Sequence, residues 1–214
     1  MKKAVIFDMD GIISDTQQLH AEVESKLLRE LQIFLSPKEI TKKYAGVSDE
    51  KMFKEILNDY KISIPNLSNL IFKKWDMIKE ISKGKVIAIP HAIKLVSLLK
   101  KHGFKLAIAS ASTLSFIEYV VTTLAIKDKF DILVSAQEVT SGKPAPDIFF
   151  LAAGRLKVTP KDCVVIEDGR SGMIGARVAG MKSIGLVANK NGDWPADILV
   201  SSLNQLNVSV IHNL

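Results

Sequence analysis

The chain has 214 residues, 47% of them hydrophobic and 24% charged. That is enough for one α/β core plus a small inserted module, with no need of staples. Its net charge of +6 lies in scattered lysine pairs such as Lys2-Lys3, Lys42-Lys43, Lys73-Lys74 and Lys100-Lys101, without interleaved aromatics. This pattern reads as a solvated surface and not a nucleic-acid stripe. The single cysteine, Cys163, excludes an intrachain disulfide. The apolar stretch after Met1-Lys2-Lys3 stops at Asp8, too short for a signal peptide, and no segment can span a bilayer. A cytoplasmic monomer is expected.

Ala4-Val5-Ile6-Phe7 is an unbroken apolar run, the pattern of a strand covered on both faces of a parallel sheet. Residues 17–82 hold helical patterns and no strand. Leu19, Val23, Leu27 and Leu31 recur at helical spacing, and Ser36-Pro37-Lys38-Glu39 reads as a capping box with proline at the first helical position. Met52, Phe53, Ile56, Leu57 and Tyr60 form a second stripe; Leu67, Leu70, Ile71, Trp75 and Ile78 form a third. From residue 85 onward, strand-like runs at 106–109, 132–134, 163–166, 183–187 and 197–200 alternate with helical faces. Those faces are Ile93, Val96 and Leu99; Leu114, Ile117, Val121 and Leu124; and Ile148, Phe149, Ala152 and Leu156. The alternation predicts an α/β, doubly wound parallel sheet. The core is expected from residues 1–15 and 84–214, with a helical module inserted at 16–83.

Four groups carry chemistry. Asp8-Met9-Asp10-Gly11 ends the first strand and places two carboxylates past its carboxyl end, where open α/β sheets bind ligands. Ser110 follows the second strand, where a hydroxyl and helix-start N–H groups can hold phosphate oxygens. Lys143 sits in Gly142-Lys143-Pro144-Ala145-Pro146-Asp147, where two prolines stiffen the backbone and aim the lysine. Glu167-Asp168-Gly169 puts a second acidic pair at another strand end. Taken singly, each is explained as well by a turn, a cap or a solvent lysine. Together, Asp8 and Asp168, with Glu167 bound directly or through water, make an oxygen set suited to Mg²⁺. No His/Cys set for zinc is present.

These motifs, with Asp15-Thr16, resemble the four motifs of the haloacid dehalogenase-like hydrolases in order, strand placement and spacing, over essentially the whole chain. The resemblance implies a Rossmann-like core with an inserted α-helical cap, similar to the β-phosphoglucomutase-like branch. It implies Asp8 as the nucleophile that becomes phosphorylated, and Asp10 as the acid that protonates the leaving oxygen and then activates water. It further implies Ser110, Ala111 and Lys143 around the phosphoryl group, and Mg²⁺ between Asp8, the Asp10 carbonyl, Asp168 and Glu167. The acid role requires Asp10 to be protonated when substrate arrives, as expected beside another carboxylate. Substrate contacts are expected from the cap at His20, Gly46, Val47, Ser48 and Asp49.

The implied activity is hydrolysis of a small phosphorylated metabolite such as a sugar phosphate, with no nucleic-acid or membrane partner. A phosphosugar mutase is the alternative. The mutases of this branch place an arginine where Asp49 stands and Lys-Asn where Thr113-Leu114 stands, so the second phosphate clamp is missing here. His20 matches a cap histidine of the mutases, and Lys73 or Lys74 a cap lysine. A non-catalytic nucleic-acid binder is a third reading, opposed by the intact acidic groups.

Overall fold

The computed structural model describes all residues 1–214. Six parallel strands form one sheet in the order β3-β2-β1-β4-β5-β6. In chain order they are β1 (Ala4–Phe7), β2 (Lys105–Ser110), β3 (Ile132–Ser135), β4 (Cys163–Glu167), β5 (Lys182–Leu186) and β6 (Ile198–Val200). All six lie where the apolar runs predict strands. β1 is fully buried, as its unbroken apolar pattern requires.

Strand order reverses at β1. The chain moves outward to β2 and β3 on one side, then returns to β4 on the other. The crevice outside the carboxyl ends of β1 and β4 is therefore the topological switch point. Four helices follow β1: α1 (Gln17–Glu30), α2 (Pro37–Tyr44), α3 (Asp49–Asp59) and α4 (Leu67–Ile81). The predicted capping box forms at α2, where Ser36 accepts from the Glu39 amide and the Glu39 carboxylate accepts from the Ser36 amide. The remaining helices are α5 (Ala92–Lys101), α6 (Leu114–Thr123), α7 (Asp147–Leu156), α8 (Arg170–Val178) and α9 (Val208–His212). No helix is long and apolar enough to cross a membrane.

Two apolar layers sandwich the sheet. Val5 and Phe7 of β1 join a large core with α1, α5, α6 and the first helices, while Ala4 and Ile6 join a smaller one with α7 and α8. Two helix stripes differ from expectation. α5 buries Ala92, Leu95, Val96 and Leu99, leaving Ile93 39% exposed; α6 buries Phe116, Ile117, Val120 and Val121, leaving Leu114 37% exposed. The α5 set follows the i, i+3, i+4, i+7 pattern, and the α6 set pairs adjacent residues one turn apart, so each buried face is offset from the predicted stripe. Tyr60, just past α3, is likewise exposed.

Candidate active site

Strand parity decides which groups meet. On β1, Ala4 and Ile6 face the α7 and α8 layer; on β4, Cys163 and Val165 do the same. Continuing each alternation, Asp8 and Glu167 project from the strand ends toward that layer. The register pairs Phe7 with Ile166, and the Asp8 amide donates to the Ile166 carbonyl at 2.9 Å, so the two acids emerge side by side. The loop before α7 lies on the same side and delivers Lys143 between them.

Lys143 is 2% exposed and its ammonium donates to Asp8 Oδ1 at 2.5 Å, Glu167 Oε1 at 2.6 Å and the Ala109 carbonyl at 3.0 Å. All three of its donors are used. Glu167 spends its other oxygen, Oε2, on the Gly169 amide at 2.8 Å. Gly172 must lack a side chain, because a Cβ there would overlap the Glu167 carboxylate. Gly11 is tied to the site twice: its φ is +91°, and a Cβ would collide with the carboxylate of Asp168. The glycine of the first motif therefore seats the aspartate of the fourth.

Carboxylate oxygens of Asp8, Glu167 and Asp168 lie within 4.8 Å of one another. With Lys143 as their one ammonium, three ionised carboxylates leave a surplus of two negative charges. Burial, joined by repulsion from Glu167 and Asp10, outweighs Lys143 and pushes Asp8 up to about 8. Burial, then Glu167 and Asp8, drives Asp168 well above the ordinary carboxylate range. A buried, all-oxygen cluster short of two positive charges fits a hard divalent cation.

Asp10 belongs to a different set. β1 ends at Phe7, so the two-residue spacing does not hold Asp8 and Asp10 parallel as it would on a continuing strand. Asp10 Oδ1 accepts from Thr16 Oγ1 and lies 3.4 Å from His20 Nε2; Oδ2 accepts from Ser112 Oγ at 2.8 Å and meets Ser110 Oγ at 3.4 Å. Burial alone would raise its pKa, but the His20 ring and the Thr16 and Ser112 hydroxyls together hold it at about 2. Without substrate, these donors and not a neighbouring carboxylate set the proton affinity of Asp10. Asp8 is the acid that neighbouring carboxylates shift upward, because Asp10 faces donors. Ser110 Oγ also accepts from the Ser112 amide at 3.1 Å.

The helices after β1 cover these groups. A narrow cleft of about 60 Å³ is lined by Asp8, Asp10, Ala111 and Ser112 on one wall, and by His20, Gly46, Val47 and Asp49 on the other. Ser48 does not line it. Its side chain instead packs on Gly142, next to Lys143. Gly46 (φ +72°) and Ala45 rest on the start of α8, where Ser171 Oγ donates to the Ala45 carbonyl at 2.9 Å. Of the two candidate lysines, Lys73 pairs with Glu30 at the surface at 2.5 Å, whereas Lys74 is buried in the cleft wall. His20 is 9% exposed and packs edge-on to Trp75 and Phe116 at 5.3 and 5.4 Å.

Sequence reasoning did not single out Thr16 or Ser112 as Asp10 partners, nor Glu24 and Trp75 as cleft residues. Glu24 had a usable signal, lying four residues after His20 on one helix face. Thr16 and Ser112 lie within the motif segments, but nothing in the sequence marks them as partners of Asp10.

The sequence matches the family model of the haloacid dehalogenase-like hydrolases over residues 5–186. The chain belongs to that family, in its β-phosphoglucomutase-like branch. It is 31% identical over 216 residues to β-phosphoglucomutase of Bacillus subtilis (strain 168), covering 98% of this chain and 94% of that protein. It is 28% identical over 207 residues to hexitol phosphatase B of Escherichia coli (strain K12), covering 95% and 93%. The crystal structure of β-phosphoglucomutase from Clostridium difficile superposes with a TM-score of 0.89 at 29% identity, covering 100% of this chain and 96% of that one.

Proposed function

We propose that the protein is a Mg²⁺-dependent phosphatase that hydrolyses a small phosphorylated metabolite, a sugar phosphate, through a phospho-aspartate on Asp8. One observation carries this reading: Asp8 is fixed by Lys143 at the mouth of a cleft, within an acidic cluster that needs a divalent cation. Asp8 and Asp168, with the Asp10 carbonyl and Glu167 directly or through water, would hold Mg²⁺. The ion supplies charge neutralisation at the phosphoryl oxygens when bound.

Lys143 holds Asp8 Oδ1, leaving Oδ2 to attack phosphorus. The ester P–O bond breaks as the new O–P bond forms, and the leaving oxygen takes a proton from Asp10. In the substrate-free protein His20, Thr16 and Ser112 hold the Asp10 carboxyl low, so its acid role requires the anionic phosphoryl group to raise it on arrival. Water then attacks the phospho-aspartate, Asp10 accepts its proton, and phosphate leaves with the Asp8 carboxylate restored. Ser110, the Ala111 amide and Lys143 surround the phosphoryl group. Residues 16–83 act as a cap over the core of 1–15 and 84–214, excluding bulk water during the first step.

A mutase is favoured by the B. subtilis relative's name and by His20 beside Asp10. Against it, the cap position that would grip a second phosphate holds Asp49, already ion-paired to Lys74. The two readings separate in one assay with Mg²⁺. A phosphatase releases phosphate from a hexose monophosphate. A mutase converts glucose 1-phosphate to glucose 6-phosphate with a bisphosphate primer and little free phosphate, and that outcome would replace the present reading.

A further inference from the structure

The cleft wall facing Asp8 contains a buried charge cluster that the phosphoryl chemistry does not use. Lys74 on α4 is 2% exposed, 2.6 Å from Glu24 on α1, and bonded to Asp49 Oδ1 at the start of α3. Asp49 Oδ2 accepts from the Trp75 indole at 2.7 Å. Three elements thus close on one lysine. Burial alone would favour its neutral form, but Asp49 and Glu24 outweigh that and keep the ammonium charged. The wall therefore carries two carboxylates against one ammonium and is net anionic. Beside it, His20 Nε2 is buried without a hydrogen-bond partner, although it lies 3.4 Å from Asp10. His20 also lines the cleft, within reach of a substrate hydroxyl that enters beside Asp10.

A second anion on the substrate would meet Asp49 and Glu24 with the only local cation already doubly paired, which is repulsive. A hydroxyl can donate to those carboxylates and pair with His20, while Trp75 and Val47 offer apolar surface to the carbon chain. We infer that this cluster selects a polyhydroxylated leaving group carrying no second negative charge, so the substrate is a polyol or sugar monophosphate, not a bisphosphate or a phosphorylated sugar acid. The inference rests on the phosphatase reading and specifies its substrate class.

Glucitol 6-phosphate and 6-phosphogluconate test it, because they differ at the distal carbon in carrying a hydroxymethyl or a carboxylate. With Mg²⁺, the wild-type protein should prefer glucitol 6-phosphate in kcat/KM by on the order of tenfold or more. In the Glu24→Gln/Asp49→Asn double variant Lys74 loses both partners, and the preference should fall by on the order of tenfold or invert. The single Asp49→Asn variant should shift it in the same direction if the double variant does not fold. Equal wild-type rates on the two compounds, or a ratio unmoved in the folded variants, would overturn the inference. So would hydrolysis of p-nitrophenyl phosphate with neither sugar compound turned over. Absence of Mg²⁺-dependent release from p-nitrophenyl phosphate itself would instead sink the phosphatase reading on which the inference stands.

Discussion

Replacing Lys143 with methionine removes the sole ammonium from a cluster of three carboxylates while keeping most of the side-chain volume. Its contacts to Asp8, Glu167 and the Ala109 carbonyl are all lost. Breaking a buried ion pair from one side costs about 3–5 kcal/mol. Against a typical total of about 5–15 kcal/mol, the variant should fold but be marginal. At roughly 2–4 °C per kcal/mol for a chain of this size, Tm should drop by about 6–20 °C. The loss must depend on pH. Asp8 binds its proton more tightly in the folded state than in the unfolded chain, with a folded pKa of about 8 against an unfolded value of 3.8, and without Lys143 it rises further. Raised carboxyl groups lower stability as pH climbs through the interval between unfolded and folded values. Thermal melts of metal-free protein should therefore show a larger wild-type-to-variant gap at pH 8 than at pH 5.5. A gap below about 1 kcal/mol at pH 8 would mean that Lys143 contributes no more than an exposed ion pair does, refuting its role as the buried counter-charge.

The metal-free wild-type protein should itself lose stability between pH 6 and 8, since Asp8 and Asp168 are both raised, and added Mg²⁺ should flatten that slope; calorimetry with and without chelator measures it. Gly11→Ala should cost about 1–3 kcal/mol from the strained φ and the displaced Asp168, and should weaken Mg²⁺ binding by titration calorimetry more than Gly84→Ala, whose added Cβ meets nothing within 4 Å. His20→Asn should lower kcat by roughly 10²-fold with a smaller change in KM, and should shift the acid limb of the pH profile as Asp10 is released upward; an unchanged profile would remove His20 from control of Asp10.

Much of the core was legible because parallel strands buried on both faces leave unbroken apolar runs, as in Ala4 to Phe7 and Cys163 to Ile166. The convergence of Asp8 with Glu167 follows from strand parity once β1 and β4 are neighbours, but adjacency is a property of topology that no local pattern encodes. Lys143 stood out from the other lysines because prolines fix its loop, and it is the one found between the acids. The inserted helices were legible as helices and not as a wall. Glu24, Asp49, Lys74 and Trp75 come from three helices, and their pairing is set by packing across the insert. Asp10 was hard to read for a related reason: its proton affinity is governed by His20, Thr16 and Ser112, which outweigh its burial.

The account stands or falls on a covalent bond between phosphorus and Asp8. Single-turnover incubation with Mg²⁺ and a hexose monophosphate, acid quench and peptide mass spectrometry would detect it. The predicted result is one phosphoryl group on the peptide containing Asp8, absent along with all turnover in Asp8→Asn. Undiminished phosphate release by Asp8→Asn, or a phosphoryl group trapped on another residue, would contradict it.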